Sequence, residues 1–306
     1  MSLRLLRRLA ALVLLWGLAA GTGAQTLALS FDDGFDPRWQ AQAAAWNAAM
    51  LDALAYAEVR AILFAAGKHV DSPAGLDLVK AWGDAGHGVA NHTYRHASLG
   101  SPRTTLDDFV ADVARNEALL EKMSGWTRRL RFPYLKEGDT ADKRDGARAW
   151  MAAHDYRSGA VSIDASDWYY DARWRAWRAW RTAHPDADPA PFREAYLAHL
   201  ASRVAYYDRL SQRVLRRSVK HVLLLHANAI NAAFLPDVIA MFRANGWTIV
   251  APDEAWADPV YAMKPVTLPA GESIVWSLAR QDGVEGLRYP AEDDVYEKPI
   301  LDALGL

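Results

Sequence analysis

The chain has 306 residues, 51% of them apolar and 24% charged, with a formal charge of −2 at pH 7. That length suits a single α/β barrel, which typically needs about 250 residues, and the near-neutral balance excludes a globally basic nucleic-acid-binding protein. With no cysteine, the chain has no disulfide, no thiolate nucleophile, no Cys-bound zinc and no lipid-anchor thiol available to it.

Residues 1–24 read as a secretory signal. Arg4, Arg7 and Arg8 form a basic start, LAALVLLWGLAA (9–20) an apolar core, and Ala24 a cleavage point before Gln25. The apolar run falls short of the roughly 20 residues a membrane span needs. The expectation is therefore export, cleavage and a periplasmic or extracellular protein with no stable membrane span. Losing three arginines would take the charge from −2 to −5 (−2 − 3).

From residue 25 to 256 the sequence alternates short apolar runs with longer helical patterns. LALSF (27–31) is a predicted strand and 40–57 an Ala-rich helix; AILFAAG (61–67) is a strand and 75–86 a helix closed by Gly86. HGVANH (87–92) is a strand, and 104–125 a helix with Thr104 as N-cap. RLRFP (129–133) is a strand, 141–153 a helix, and YRSGAVSID (156–164) a fifth strand. VKHVLLLH (219–226) is nearly all apolar, as suits a strand buried on both faces, and a helix at 234–244 and WTIV (247–250) follow. This alternation predicts a parallel sheet with helices outside, an α/β, distorted TIM-like (β/α) barrel. In such barrels the chemistry sits just after the strands. Asp32 and Asp33, His92 and His96, Arg131 and Tyr134, Asp164 and Asp167, and His226 all fall there.

The stretch between Asp167 and His226 predicts a helical insert at about 170–217, between the fifth and sixth strands. Trp174, Trp177 and Trp180 would form one stripe of its first helix, with Arg173, Arg175, Arg178 and Arg181 around them. An amphipathic helix packed on the barrel, a sugar-stacking lid and a membrane-surface contact are the competing readings, the first favoured. Pro185, Pro189 and Pro191 separate it from a second helix at 192–217. Residues 257–306 read as an extension packed on the barrel. His69, His87, His154, His184, His199 and His221 match no ligand position and read as structural or surface residues.

In HTYRH, the spacing of His92 and His96 puts two imidazoles on one face of a helical turn. With a carboxylate from a neighbouring strand end they would form a metal set with open positions, suited to zinc or to non-haem iron. The Asp32–Asp33 doublet fits the same idea. One Asp can ligate the ion while the other takes the proton of its bound water.

Taken in order, SFDDG, HTYRH, RFPY, DASDW and LLLH resemble the motif series of the polysaccharide deacetylases, the NodB-homology carbohydrate esterases. The resemblance covers roughly residues 26–256. It implies a distorted barrel that removes N- or O-acetyl groups from sugars with a divalent metal. By that resemblance Asp33, His92 and His96 are the ligands, and Asp32 is the base for a metal-bound water that attacks the acetyl carbonyl. Arg131 holds Asp32 and favours its ionised form. Tyr134 offers a backbone N–H to the oxyanion, His226 is the acid and Asp167 the carboxylate that raises its pKa. Trp168 and Leu224 wall the acetyl pocket, and Asp164 is a supporting residue. The family's usual Gly after RFPY is replaced here by Leu135. The implied substrate is an acetylated polysaccharide or oligosaccharide of the cell envelope or exterior. The implied metal is zinc, with cobalt, nickel or manganese able to serve. The alternatives are a non-sugar amide hydrolase and a non-catalytic glycan-binding scaffold. The sequence names no protein partner.

Overall fold

A computed structural model describes residues 25–306; the secretory signal read at 1–24 lies outside the described residues. Along the chain, β1 (Thr26–Asp33) is followed by α1 (Ala43–Tyr56), β2 (Ile62–Ala65), the single turn α2 (Gly67–Val70), α3 (Pro73–Asp84), β3 (Gly88–Asn91) and α4 (Leu106–Leu120). Next come β4 (Trp126–Leu130), the short β5 (Lys136–Gly138), α5 (Ala141–Ala153), β6 (Arg157–Ser158), α6 (Asp167–Arg181) and α7 (Ala190–Leu215). The chain ends with β7 (His221–His226), α8 (Ala229–Ala244), β8 (Thr248–Ile249), α9 (Pro252–Trp256), β9 (Ala270–Gly271), α10 (Ile274–Gln281) and α11 (Asp294–Leu304).

β1 is buried along its whole length except its end residues. It lies in parallel between β2 and β7, with Asp32 level with Phe64 on one side and His226 on the other. Burial on both faces explains why these strands are continuous apolar runs rather than alternating ones. The seven-stranded sheet runs β6-β4-β3-β2-β1-β7, with β8 also paired to β1, and every pairing is parallel.

The predicted fifth strand, 156–164, is not one strand. Gly159 N donates to Leu130 O (2.7 Å), whereas Ser162 N and Ile163 N both donate to Val222 O (3.1 Å). The segment leaves β4 and reaches β7, so only its first part is a regular strand. Gly159 sits where the crossing is tightest, since a Cβ there would lie 2.6 Å from the Phe64 ring. The sheet thus curls into a distorted TIM-like barrel, as the sequence predicts, with this irregular stretch closing it.

Side-chain caps fix several helix starts. Ser72, Thr105, Thr140 and Asn228 accept the N–H groups of Gly75, Asp108, Lys143 and Asn231. Thr105, not the predicted Thr104, caps α4. α8 begins at Ala229 rather than 234, because Asn228 caps it directly after β7.

The two insert helices pack on the barrel. Trp174 is buried, stacks on Trp177 (centroids 5.1 Å apart, 13° between planes) and meets Phe192 of α7 and Phe234 of α8. The arginines around it are engaged: Arg173 with Asp302 (2.8 Å) and Arg175 with Asp171 (2.9 Å). After the barrel, β9 pairs antiparallel with β5, and α10 packs against α7 through a face that buries Val275, Trp276 and Leu278. Among the described residues, no helix is long and apolar enough to cross a membrane.

Candidate active site

β1 ends in a turn built from two successive left-handed residues, Asp33 (φ 77°) and Gly34 (φ 99°). The second must be glycine, for a Cβ there would stand 2.6 Å from Val70 Cγ1. This turn keeps Asp32 within the strand and makes Asp33 its last residue.

HTYRH is not a helical turn. It is a loop in which Thr93 (φ 61°) and His96 (φ 55°) take left-handed conformations, and Thr93 Oγ1 accepts the His96 N–H (3.1 Å). The loop brings the rings together as a helix would have done, with His92 Nε2 3.2 Å from His96 Nε2. His96 Nε2 lies 3.6 Å from Asp33 Oδ1. Ligand atoms of Asp33, His92 and His96 all fall within 4.8 Å of one another.

These residues fit a divalent cation. Asp33 Oδ1 is buried with no hydrogen-bond partner. His92 Nδ1 faces the Arg131 carbonyl at 2.9 Å, and a carbonyl can only accept, so Nδ1 carries the proton and the Nε2 lone pair faces the cluster. Burial holds the His92 imidazole down at about 4; burial and His92 together hold His96 down at about 3. Burial opposes the Asp33 charge, but His226, His96, His69 and His92 outweigh it and bring the carboxyl down to about 2. A carboxylate and two neutral imidazoles at neutral pH are the donor set that binds zinc with open positions. Bound metal is therefore expected to survive as the pH falls from 7 and to be lost near pH 4, where protons begin to compete. Metal content after dialysis across a pH series checks this; half-loss near the ordinary imidazole value of about 6.5 would mean that burial does not hold the His92 and His96 imidazoles down.

Asp32 is held from the far side of the barrel. Its Oδ1 accepts from Arg131 Nη1 (2.5 Å), while Arg131 also donates to Ser30 Oγ and the Gly159 carbonyl (2.9 Å each). Asp32 Oδ2 lies 3.5 Å from His92 Nε2. Arg131 pulls toward the ionised form of Asp32, the sense the sequence reading gave it. Burial pushes the carboxyl up and outweighs the opposing pull of Arg131 and His226.

Asp167 is fully buried and accepts four bonds. They come from His226 Nδ1 (2.7 Å) and N (2.8 Å), Asn228 Nδ2 (3.0 Å) and Asn231 Nδ2 (2.8 Å). With Nδ1 engaged, His226 presents Nε2 to the site. Burial opposes its charge, but Asp167, Asp33 and Asp32 prevail and push the imidazole up to about 10. Asp164 is pushed up to about 7 by burial and by Glu272.

A cavity of about 450 Å³ joins these groups, within the usual range for ligand sites. Tyr134, Leu135, Trp168 and Leu224 line it, and Tyr134 and Leu135 both have left-handed backbones (φ 58° and 55°). Lys136, Glu272, Pro290, Glu292 and Asp293 also line the cavity, and none of them was a predicted site residue. Only the acidic run PAEDDVYEKP hinted at the last two. His69, predicted to be structural, faces Asp33 at 3.8 Å. The other histidines outside the motifs have structural or surface places; His221, for example, is buried between Ser162 and Asp208. A hollow of about 520 Å³ around Arg60, His87 and Trp126 lies at the opposite, N-terminal ends of the strands, where barrels keep stability rather than chemistry.

Comparison with known proteins shows what the chain is similar to. The polysaccharide deacetylase model matches residues 19–150. A Bacillus cereus peptidoglycan-N-acetylglucosamine deacetylase is 26% identical over 143 residues, 46% of this chain and 46% of the relative. Over residues 19–150 the chain is similar to the polysaccharide deacetylase family. The match spans less than half the length of that curated deacetylase. The fold agrees with that of Bacillus subtilis PdaA, a family 4 carbohydrate esterase (TM-score 0.51, 18% identity, covering 78% of this chain and 82% of PdaA). It also agrees with a mutant of a family 4 pseudoenzyme with restored activity (TM-score 0.50, 17% identity, covering 77% and 68%). The deacetylase fold therefore hosts both active and inactive proteins, and competence has to be argued from the residues.

Proposed function

We propose that the protein is an exported, metal-dependent carbohydrate deacetylase. It would hydrolyse an N-acetyl, or O-acetyl, group on a cell-envelope or extracellular polysaccharide. The observation that carries this is the placement of Asp32 and His226. They are level across the β1–β7 pairing, beside the Asp33–His92–His96 cluster, one buried against Arg131 and the other against Asp167. A base and an acid need separated environments, and these two have them. The substrate class draws on the name of the Bacillus cereus relative, and the compartment on residues 1–24.

Zinc, or cobalt, nickel or manganese in its place, held by Asp33, His92 and His96, would supply a Lewis acid and bring the pKa of a water toward about 7. Asp32 accepts the proton of the attacking water, and Arg131 fixes the orientation of that carboxylate. The Tyr134 backbone N–H stabilises the oxyanion. Trp168 and Leu224 flank the acetyl methyl group. His226, charged at neutral pH, gives its Nε2 proton to the leaving nitrogen as the C–N bond breaks, so that acetate and a free amine depart.

The test is acetate release from a panel of acetylated glycans, with and without a chelator and zinc add-back. Metal-dependent release supports the reading. Absence of release with a stoichiometric ion bound moves it to a non-sugar amide, and absence of both moves it to a glycan-binding scaffold. His226→Ala should lower turnover of N-acetyl substrates by about 100- to 10,000-fold but that of activated aryl acetates far less, because their leaving groups need no proton. Equal losses on the two substrates would remove the acid role.

A further inference from the structure

Two hollows meet at the candidate active site. One is the 450 Å³ cavity described above, part of whose wall comes from the tail that follows the barrel, through Glu272, Pro290 and Asp293. The other, of about 290 Å³, shares Asp33, Trp168 and His226 with it and lies at the small end of the range for ligand sites. Much of its wall comes from two other places. The loop before α1 and α1 itself supply Gln40 and Trp46, and α6 of the insert supplies Asp171 and Arg175.

This second wall carries the groups that hold a sugar. Gln40 Oε1 is buried and has no hydrogen-bond partner among the described residues. A buried acceptor left unpaired is costly, and a hydroxyl entering the hollow would satisfy it. Trp168 is 43% exposed and lines both hollows. Trp46 adds a second indole, with the Arg178 guanidinium of α6 5.9 Å from its ring. Buried Asp171 accepts from Ile230 N (3.0 Å) and pairs with Arg175 (2.9 Å), so the arginine is held at the wall with its charge matched. A pyranose has apolar C–H faces and a rim of hydroxyls, and indole surface beside a few fixed polar groups suits both. Gln40, Trp46, Asp171 and Arg175 all lie outside the five motifs, and the last two belong to the long stretch between Asp167 and His226. The hollow is therefore this chain's own addition to the motif set.

We propose that this hollow binds the sugar ring next to the acetylated one, so that the protein acts within a chain of sugars rather than on a single unit. This rests on the deacetylase reading. The test uses the metal-loaded mature protein on N-acetylglucosamine and its oligomers of two to four units. The kcat/KM of the tetramer should exceed that of the single sugar by about tenfold or more, because binding energy from the neighbouring ring is added. Gln40→Leu keeps the bulk of the side chain and removes the acceptor; it should cut the tetramer-to-monomer ratio about fivefold. No group of the protein uses Gln40 Oε1, so a merely structural role would leave that ratio unmoved. Trp46→Leu should cut the ratio by a similar factor. A tetramer used no better than the monomer, or an advantage that survives both substitutions, would overturn the proposal and leave the deacetylase reading standing; the second outcome would put the extra ring against the tail. No release from any of the four sugars would overturn both.

Discussion

Replacing Asp32 by Asn should lower acetyl turnover by about 100- to 10,000-fold while the folded protein keeps its full metal content. The amide has the shape of the carboxylate, and its oxygen can still accept from Arg131 Nη1, the bond that measures 2.5 Å in the native site. It cannot take a proton. The metal cluster, Asp33 with His92 and His96, does not include Asp32, so metal binding and turnover should separate. Metal content also serves as the check on folding, since the substitution leaves the buried Arg131 without its counter-charge. Retained turnover would remove the base assignment. Lost metal in a folded protein would make Asp32 a ligand.

The barrel was legible because burial leaves a one-dimensional trace. Strands covered on both faces, such as β7, must be apolar throughout, and the chemistry has to lie where those runs stop. Asp32, Asp33, His92 and His226 stand out for that reason. What failed was local geometry that depends on distant partners. Spacing of four suggests a helical turn, but HTYRH reaches the same pairing of rings through left-handed loop residues. YRSGAVSID has the composition of a strand, yet its bonding is divided between β4 and β7, and nothing in nine residues reports which neighbour each will meet.

The tail was opaque for a similar reason. Glu272 and Glu292 lie more than a hundred residues from Asp164, and it takes the pairing of β9 with β5 and the docking of the tail on α6 and α7 to bring them to one cavity. The sign of a pKa shift was equally hidden. Arg131 beside Asp32 favours the charged form, but whether burial outweighs it depends on everything packed around the pair. The Trp stripe was readable as an amphipathic face; that the insert also braces the tail required the buried Glu292–Arg203 and Glu297–His199 contacts.

Arg131→Met should cost about 3–5 kcal/mol of stability at neutral pH, the usual penalty for removing one partner of a buried pair. Arg131 is 1% exposed and joins three parts of the barrel rim. It comes from the end of β4, binds Asp32 and Ser30 of β1, and binds Gly159 in the closing segment. Its guanidinium lies 4.0 Å over the Phe64 ring of β2. Methionine can keep that last contact but none of the hydrogen bonds, and it leaves the Asp32 carboxylate buried without its cation. The Asp32 carboxyl already stands above its ordinary pKa, and losing the arginine raises it further. Above the unfolded value of about 3.9 the native variant then holds the proton more tightly than the unfolded chain does. Its stability therefore falls as pH rises from there toward the folded pKa, and the deficit against wild type shrinks on acidification. The double variant Arg131→Met/Asp32→Asn removes the stranded charge and should recover part of the loss, a coupling readable from denaturant melts of the four proteins. Strictly additive losses, with no pH dependence, would mean that Arg131 supports the rim by packing alone and that the ion pair with Asp32 contributes nothing measurable.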